Sequence, residues 1–207
     1  TWQPCPFSSI GTGNTEAEMK IYIADISRIK KTEMFETVWT RLLSAAELER
    51  LCHINDEERR LQFLVGHGLI RLVCGENAGT DKTGKPIVSH GFSSLAHRGN
   101  FVVFAVGENP IGVDVEDVRI KRDYEAVARR LGWRQVPKTA LDFYRQFTAW
   151  EADYKLGRSS GEIQHIYYSI NTFIVCISLL NIKEKINFYS VENIGRFDPV
   201  NVPVLEE

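Results

Sequence analysis

The segment Phe101-Val-Val-Phe-Ala-Val-Gly-Glu-Asn-Pro-Ile-Gly-Val-Asp-Val-Glu116 carries the strongest signal for the fold, and we call it the deciding stretch. It holds two apolar runs rich in β-branched residues, and turn-forming residues separate the runs at positions 107–110. Such runs with a Gly, Asn and Pro cluster between them are typical of buried strands joined by a short turn. The sequence therefore predicts a buried hairpin of strands Phe101–Val106 and Ile111–Val118.

Strands and helices alternate on both sides of this stretch. The apolar periodicity and the capping residues, including Ser44 with Glu47 three residues later, predict these elements: a strand at Lys20–Ile26, helices at Leu42–Leu51, Asp56–Cys74, Tyr124–Leu131 and Pro137–Leu156, and a second pair of strands at Ile166–Leu180 and Lys185–Val191. This order predicts an α+β protein with two similar lobes, not a doubly wound parallel sheet. We expect residues 1–18 to be a leader or a remnant of expression, 19–120 an N-terminal lobe and 121–207 a C-terminal lobe.

Composition limits the classes of function. The chain has 207 residues, 25 basic and 27 acidic, and a net charge of −2, so no global field attracts nucleic acid or an anionic membrane. Its four cysteines form no CxxC pair, which argues against a disulfide framework or a zinc site and favours the reducing cytoplasm. The longest apolar run, Phe173–Leu180, is far below the roughly 20 residues that span a bilayer.

Two carboxylates in the second run of the deciding stretch are candidate metal ligands. Side chains alternate along a strand, so Asp114 and Glu116 emerge on one face while Val113 and Val115 point to the other. Two acids this close repel each other, and a hard divalent cation such as magnesium relieves the repulsion with oxygen ligands. The alternative is a solvated sheet face at a strand end.

A second candidate group lies on the predicted helix Pro137–Leu156. At roughly 100° per residue, four aromatic side chains form one stripe that we expect to be core: Phe143, Phe147, Trp150 and Tyr154. Glu151 lies at the margin of that face with Lys155 one turn later, so both can face a cleft. The alternative is an ordinary exposed Glu-to-Lys pair, worth about 0.2–0.5 kcal/mol.

Basic residues precede the deciding stretch, on segments that the sequence predicts to be loops. Lys85 lies in Gly84-Lys85-Pro86, and His97 and Arg98 lie in Leu95-Ala-His-Arg-Gly-Asn100. Such side chains can hold phosphate groups through charge-assisted hydrogen bonds. A lone histidine is more often structural, and that alternative stays open for His97.

The order and spacing of these motifs resemble the 4'-phosphopantetheinyl transferases, in particular the monomeric two-lobed type. The matching elements are Gly84-Lys85-Pro86, Ala96-His97-Arg98-Gly99, Gly112–Glu116 and Phe147–Lys155. The resemblance implies a pseudo-twofold fold in which each lobe packs a helix on a small, mostly antiparallel sheet. It also implies a cytoplasmic, magnesium-dependent monomer that transfers the phosphopantetheine arm of coenzyme A to a serine of an acyl or peptidyl carrier protein.

The same resemblance implies roles for seven residues. Metal ligands would be Asp114, Glu116 and Glu151; coenzyme A would be bound by Arg60, Lys85, His97 and Lys155. Glu151 would also help to deprotonate the serine, and Lys155 would steady the leaving group. Electrostatic stabilisation by a metal and cationic side chains suits attack on phosphorus, where charge builds on oxygen atoms.

Five positions depart from the pattern of the family. Ala96 stands in place of a Ser, Trp150 of a Lys, Phe147 of a Trp, and Gln62 and His67 of arginines. Two further hypotheses therefore stay beside catalysis: a weakened relative that only binds a carrier protein or coenzyme A, and a metal-dependent phosphodiester hydrolase. The complete set of three acidic residues favours catalysis.

Overall fold

The computed structural model describes residues 18–29, 35–157, 161–180, 185–193, 196–200 and 202. Its helices are α1 (Ile26–Ile29), α2 (Phe35–Thr40), α3 (Ala45–Cys52), α4 (Glu57–Cys74), α5 (Tyr124–Leu131) and α6 (Ala140–Leu156). Its strands are β1 (Glu18–Asp25), β2 (Gly79–Thr80), β3 (Pro86–Ile87), β4 (Phe92–Arg98), β5 (Phe101–Gly107), β6 (Ile111–Asp117), β7 (Gln164–Ile170), β8 (Phe173–Leu179), β9 (Lys185–Asn193) and β10 (Arg196–Val200).

The strands form two main sheets and a small ribbon. The larger sheet has the order β10-β9-β1-β5-β4, in which β1 pairs in parallel with β9 and the other neighbours are antiparallel. The smaller sheet has the order β6-β8-β7 and is antiparallel throughout. Strands β2 and β3 pair only with each other. A mixed α+β architecture, as the sequence predicts, is confirmed at this level.

The two main sheets face each other, and each carries a helix on its outer side. Alternating residues of β1 and β5, such as Ile21 and Val103, share a buried cluster with Val113 of β6 and Val175 of β8. The intervening residues of β1 and β5 pack against α4, and Ile174 of β8 packs against α6. The order of layers is α4, larger sheet, smaller sheet, α6.

The predicted hairpin of Phe101–Val106 and Ile111–Val118 is wrong. Strand β5 pairs with β1 and β4 in the larger sheet, whereas β6 pairs with β8 in the smaller one. Both runs are buried on both faces, so their composition indicates burial but not a partner. The turn at 107–110 redirects the chain from one sheet to the other.

The predicted pair of strands near the C-terminus is also wrong. Ile166–Leu180 is not one strand but a hairpin of β7 and β8, which turns at Asn171 with a φ of 55°. Asparagine adopts this left-handed conformation more readily than most residues. The predicted strand Lys185–Val191 exists as β9, but its neighbours are β1 and β10.

The helices agree with the sequence more closely than the strands do. Ser44 caps α3 and forms a capping box with Glu47, Asp56 caps α4, and α5 covers the predicted range Tyr124–Leu131. Helix α6 ends before Gly157 as predicted, but it begins at Ala140 because Thr139, not the region of Pro137, supplies the cap.

The division into lobes at residue 120 stays a prediction. Strand β6 precedes this position but belongs to the smaller sheet, and β9 and β10 follow it but belong to the larger sheet. Of the predicted leader, residues 1–17 lie outside the described residues, and Glu18 begins β1. Among the helices described, none has the length and apolar character that crossing a membrane requires.

Candidate functional site

Strand β6 and helix α6 meet at a point of close backbone contact. A Cβ atom at Gly112 would collide with the carbonyl oxygen of Ala152. Glycine at this position therefore lets the backbone of α6 lie directly on β6. Residues on either side of Ala152, among them Glu151 and Lys155, are brought close to Asp114 as a result.

Asp114 is a buried carboxylate that pairs with Lys155. Its Oδ1 accepts a hydrogen bond of 2.7 Å from Nζ of Lys155, which also donates to the carbonyl oxygen of Val113 at 3.0 Å. Its Oδ2 is buried and accepts no hydrogen bond from the described residues. Burial raises the pKa of Asp114, and the charge of Lys155 offsets only part of that rise.

Glu151 shares a cavity of about 500 Å³ with Asp114 and Lys155. Partial burial raises the pKa of Glu151, and the negative charge of Asp114 raises it further. Lys85 and His97 also line this cavity. Two acidic and three basic or imidazole side chains thus line one space. They are five of the seven residues to which the resemblance assigns roles, and those roles stay predictions.

Glu116 is held differently from Asp114 and Glu151. Nη2 of Arg122 donates to its Oε1 at 2.8 Å, and Nε of Arg98 lies 3.2 Å from its Oε2 without the geometry of a hydrogen bond. Burial raises the pKa of Glu116, and Arg122 and Arg98 oppose that rise. The residues that line the 500 Å³ cavity do not include Glu116.

The basic residues predicted on loops divide between a turn and a strand. Lys85 lies in a turn that Asp81 stabilises, since Oδ1 of Asp81 accepts hydrogen bonds from the backbone of Thr83 and Lys85. His97 and Arg98, however, lie on β4, so the loop assignment is wrong for them. This edge strand is hard to recognise in the sequence, because the polar pairs Ser93-Ser94 and His97-Arg98 interrupt the apolar pattern of a buried strand.

His97 is neutral at pH 7 in the free protein. Desolvation in the cavity wall is the largest cause, and together with the charges of Lys155 and Arg59 it lowers the pKa of His97 to about 4. It therefore acts first as a hydrogen-bonding group, and an incoming anion would raise its proton affinity.

Arg60 does not reach this site. Its Nη1 pairs with Oε1 of Glu36 on α2 at 3.0 Å. The preceding residue, Arg59, instead lines a second cavity of about 800 Å³ with Phe63, His67 and His97. A spacing of four residues on α4 connects Arg59, Phe63 and His67, and this helical period is the sequence signal that places Arg59 in the wall of that cavity.

The departures from the family pattern have structural partners. Ala96 packs between the two sheets. The ring of Trp150 stacks between those of Phe147 and Tyr154, but Trp150 is 38% and Tyr154 77% exposed, so the prediction that these two rings belong to the core is wrong. The side-chain amide of Gln62 donates to the carbonyl oxygen of Gly99 at 2.8 Å. Nδ1 of His67 lies 2.8 Å from Oε1 of Glu47.

The carboxylates fit a divalent cation in part. Oδ2 of Asp114 is a buried acceptor without a hydrogen bond, and Glu151 faces the same cavity, so these two residues could share a cation. Within the described ranges, no three His, Cys, Asp or Glu side chains are grouped as a metal site requires. Glu116 does not line this cavity, and its carboxylate lies beside Arg98 and Arg122.

Comparison with known proteins adds one similar protein. The chain is 31% identical over 104 residues to the 4'-phosphopantetheinyl transferase HetI of a Nostoc species. No family model matches the chain. The match covers 42% of this chain and 44% of that relative, so the chain spans less than half the length of the curated relative that it matches. Over this part, the protein is similar to a 4'-phosphopantetheinyl transferase.

Proposed function

We propose that this protein transfers the 4'-phosphopantetheine arm of coenzyme A to a serine of an acyl or peptidyl carrier protein. The observation that carries the proposal is the cavity in which Asp114, Glu151 and Lys155 converge with Lys85 and His97. One carboxylate can accept a proton and both can bind a cation, and the neighbouring basic groups can hold phosphates. This combination suits the transfer of a phosphoryl group. The similarity to HetI supports the same reaction class.

Lys85, His97 and Lys155 bind the phosphates of coenzyme A in this proposal. Lys85 and Lys155 supply charge, and the neutral ring of His97 donates a hydrogen bond. Arg59, in the adjoining 800 Å³ cavity, is better placed than Arg60 to serve the nucleotide end. Both cavities include His97, Thr83 and Gly84 in their walls, so one extended ligand can pass from one to the other.

Glu151 accepts the proton of the serine hydroxyl. The serine oxygen forms a bond to the phosphorus that carries pantetheine, and the bond from that phosphorus to the bridging oxygen breaks. Adenosine 3',5'-bisphosphate leaves with the electron pair. The raised pKa of Glu151 makes its carboxylate a stronger base than an exposed glutamate. Lys155 stabilises the charge on the leaving group.

Magnesium is the proposed metal, with Asp114 and Glu151 as the residues that would hold it. Bound there, it would supply electrostatic stabilisation of the phosphate oxygens. Glu116, the third ligand that the resemblance implies, is engaged by Arg98 and Arg122. We further propose that the protein is cytoplasmic and works as a monomer. Residues of β4, β6 and α6 of one chain line the cavity, which supports the monomer.

The test is intact-mass spectrometry of apo carrier proteins incubated with the protein, coenzyme A and magnesium. A mass increase of one phosphopantetheine that depends on the protein is the expected result. A panel of acyl and peptidyl carriers without any mass increase would refute transfer. Release of a product from coenzyme A without a carrier would favour the hydrolase, and calorimetric binding of a carrier without transfer would favour the binding module.

A further inference from the structure

Arg122 lies in the segment between β6 and α5 and contacts the acidic cluster, by which we mean Asp114, Glu116 and Glu151. Its Nη2 donates to Oε1 of Glu116 at 2.8 Å. The Glu116 side chain is 10% exposed and that of Arg122 27% exposed. Charges attract each other more strongly in such a partly desolvated position than at the surface.

Helix α6 holds Arg122 from the opposite side. The guanidinium carbon lies 4.9 Å from the ring centroid of Phe147 and 6.0 Å from that of Tyr144. The hydroxyl of Tyr144 donates to the carbonyl oxygen of Ile120 and so anchors the segment that carries Arg122. Cation–π contact with two rings restricts the guanidinium to the position in which it meets Glu116.

Arg122 is one of three cationic side chains beside the acidic cluster. Lys155 pairs with Asp114, and Arg98 and Arg122 pair with Glu116. Three cationic side chains therefore balance the three carboxylates before any metal binds.

We propose that Arg122 is a built-in counter-ion of the acidic cluster, which keeps Glu116 from coordinating a divalent cation and lowers the affinity of the cluster for that cation. The inference rests on the proposed function in that the cavity is taken to bind a divalent cation. Arg122 is a positioning residue, because it acts through Glu116. Only Asp114 and Glu151 then serve as protein ligands.

The test measures binding of Mn²⁺ by electron paramagnetic resonance, without coenzyme A or carrier protein. Arg122→Gln removes the charge, and we expect it to bind Mn²⁺ about tenfold more tightly than the wild type. Arg119→Gln is the matched control, because Arg119 pairs with Asp117 of the same strand but is 66% exposed. Its affinity should equal that of the wild type. Arg122→Lys keeps the charge and should also stay close to the wild type.

A double-mutant cycle separates this role from a merely structural one. Glu116→Gln should leave the Mn²⁺ affinity of the wild type unchanged but should weaken that of Arg122→Gln, where Glu116 is released to coordinate. Unchanged or weaker binding by Arg122→Gln, or no Mn²⁺ binding by any variant, would overturn the inference. If Arg122→Gln does not fold, a tenfold loss of affinity in Glu116→Gln alone would overturn it.

The carrier assay distinguishes this inference from the proposed function. Tighter Mn²⁺ binding by Arg122→Gln together with a failure of the wild type to modify any carrier would refute phosphopantetheinyl transfer and leave the counter-ion role standing. If the wild type modifies a carrier but removing Arg122 does not change the Mn²⁺ affinity, phosphopantetheinyl transfer would stand and the counter-ion role would be refuted.

Discussion

Two buried carboxylate sites in this protein have opposite electrostatics. Glu47, at the first turn of α3, accepts hydrogen bonds from the backbone and hydroxyl of Ser44 and from His67, and it lies 2.5 Å from Nη1 of Arg71. Burial alone raises its pKa, but the hydrogen bonds from His67 and Ser44 bring it down to about 2. The acidic cluster has raised pKa values and keeps a buried oxygen of Asp114 without a hydrogen bond.

The difference separates a carboxylate that its neighbours satisfy from carboxylates that can accept a further partner. Glu47 is satisfied by its neighbours, so its charge stabilises the fold. In the acidic cluster, burial raises the pKa of each carboxylate even beside cationic side chains, and an approaching cation or proton would stabilise these groups further. The comparison predicts that removing charge has opposite consequences at the two sites.

The largest expected effect is the loss of transfer in Glu151→Gln. Removing the proton acceptor should lower turnover by about 10² to 10⁴, whereas the free energy of unfolding should change by less than about 1 kcal/mol. The measurement is the initial rate of the increase in carrier mass, with a urea titration for stability. Glu125→Gln, an exposed position on α5, is the control and should keep full activity. Wild-type turnover in Glu151→Gln would show that another group accepts the proton.

Glu47→Gln should have the largest effect on stability. A pKa lowered from 4.5 to about 2 corresponds to about 3 kcal/mol at neutral pH, because each pKa unit is worth about 1.36 kcal/mol. Urea unfolding measures the loss, and Glu49→Gln on the same helix is the exposed control.

The pH dependence of the Glu47 effect has a defined sign. The folded pKa is below the unfolded one, so the stabilisation is complete above pH 4.5 and disappears as the pH falls toward about 2. The difference in unfolding free energy between the wild type and Glu47→Gln should shrink over that window. A difference that stays constant with pH would assign the stability of Glu47 to packing and not to its charge.

Asp114→Asn should affect the free energy of unfolding in the opposite direction from Glu47→Gln. Burial raises the folded pKa of Asp114, so its ionised form destabilises the free protein, and the uncharged asparagine should leave the unfolding free energy within about 1 kcal/mol of the wild type or above it. The advantage of the variant should grow as the pH rises through the folded pKa, while binding of Mn²⁺ is lost. A stability loss as large as that of Glu47→Gln would mean that Asp114 is structural too.

Trp150→Lys should have the smallest effect and tests the comparison beside the cavity, because Trp150 directly precedes Glu151 of the cavity wall. We expect the new charge beside Glu151 to reach a phosphate of coenzyme A and to strengthen binding by about 1 kcal/mol, roughly fivefold in affinity. Isothermal titration with coenzyme A measures this affinity. Leu141→Lys is the control, because Leu141 is also exposed on α6 but lies more than two turns before Glu151. Weaker binding by Trp150→Lys would indicate that the aromatic ring itself contacts the ligand.

Helices α3 to α6 could be predicted because the residues that begin and end them are close in sequence, whereas the short helices α1 and α2 were not predicted. Ser44 bonds to Glu47 three residues away, Asp56 to the backbone of Arg59, and Gly157 follows the last residue of α6. Such contacts need no distant partner.

The strands could be located in part but not paired. Runs such as those of β5 and β6 are apolar on both faces and fit many partners, so the sequence cannot choose between a hairpin and two sheets. Strand β4 was missed because it is a polar edge strand, and β9 is paired with β1, more than 160 residues away in sequence.

The chemical groups available to the site follow from the sequence alone: one acidic pair two positions apart on β6, and a glutamate one turn before a lysine on α6. Their partners follow only from the fold, because Gly112 lets α6 lie on β6 and thereby joins Lys155 to Asp114, while Arg98 and Arg122 approach Glu116 from β4 and from the segment after β6. The electrostatic state of a carboxylate depends on the charges and solvent within a few ångströms of it, and those neighbours come from remote parts of the chain.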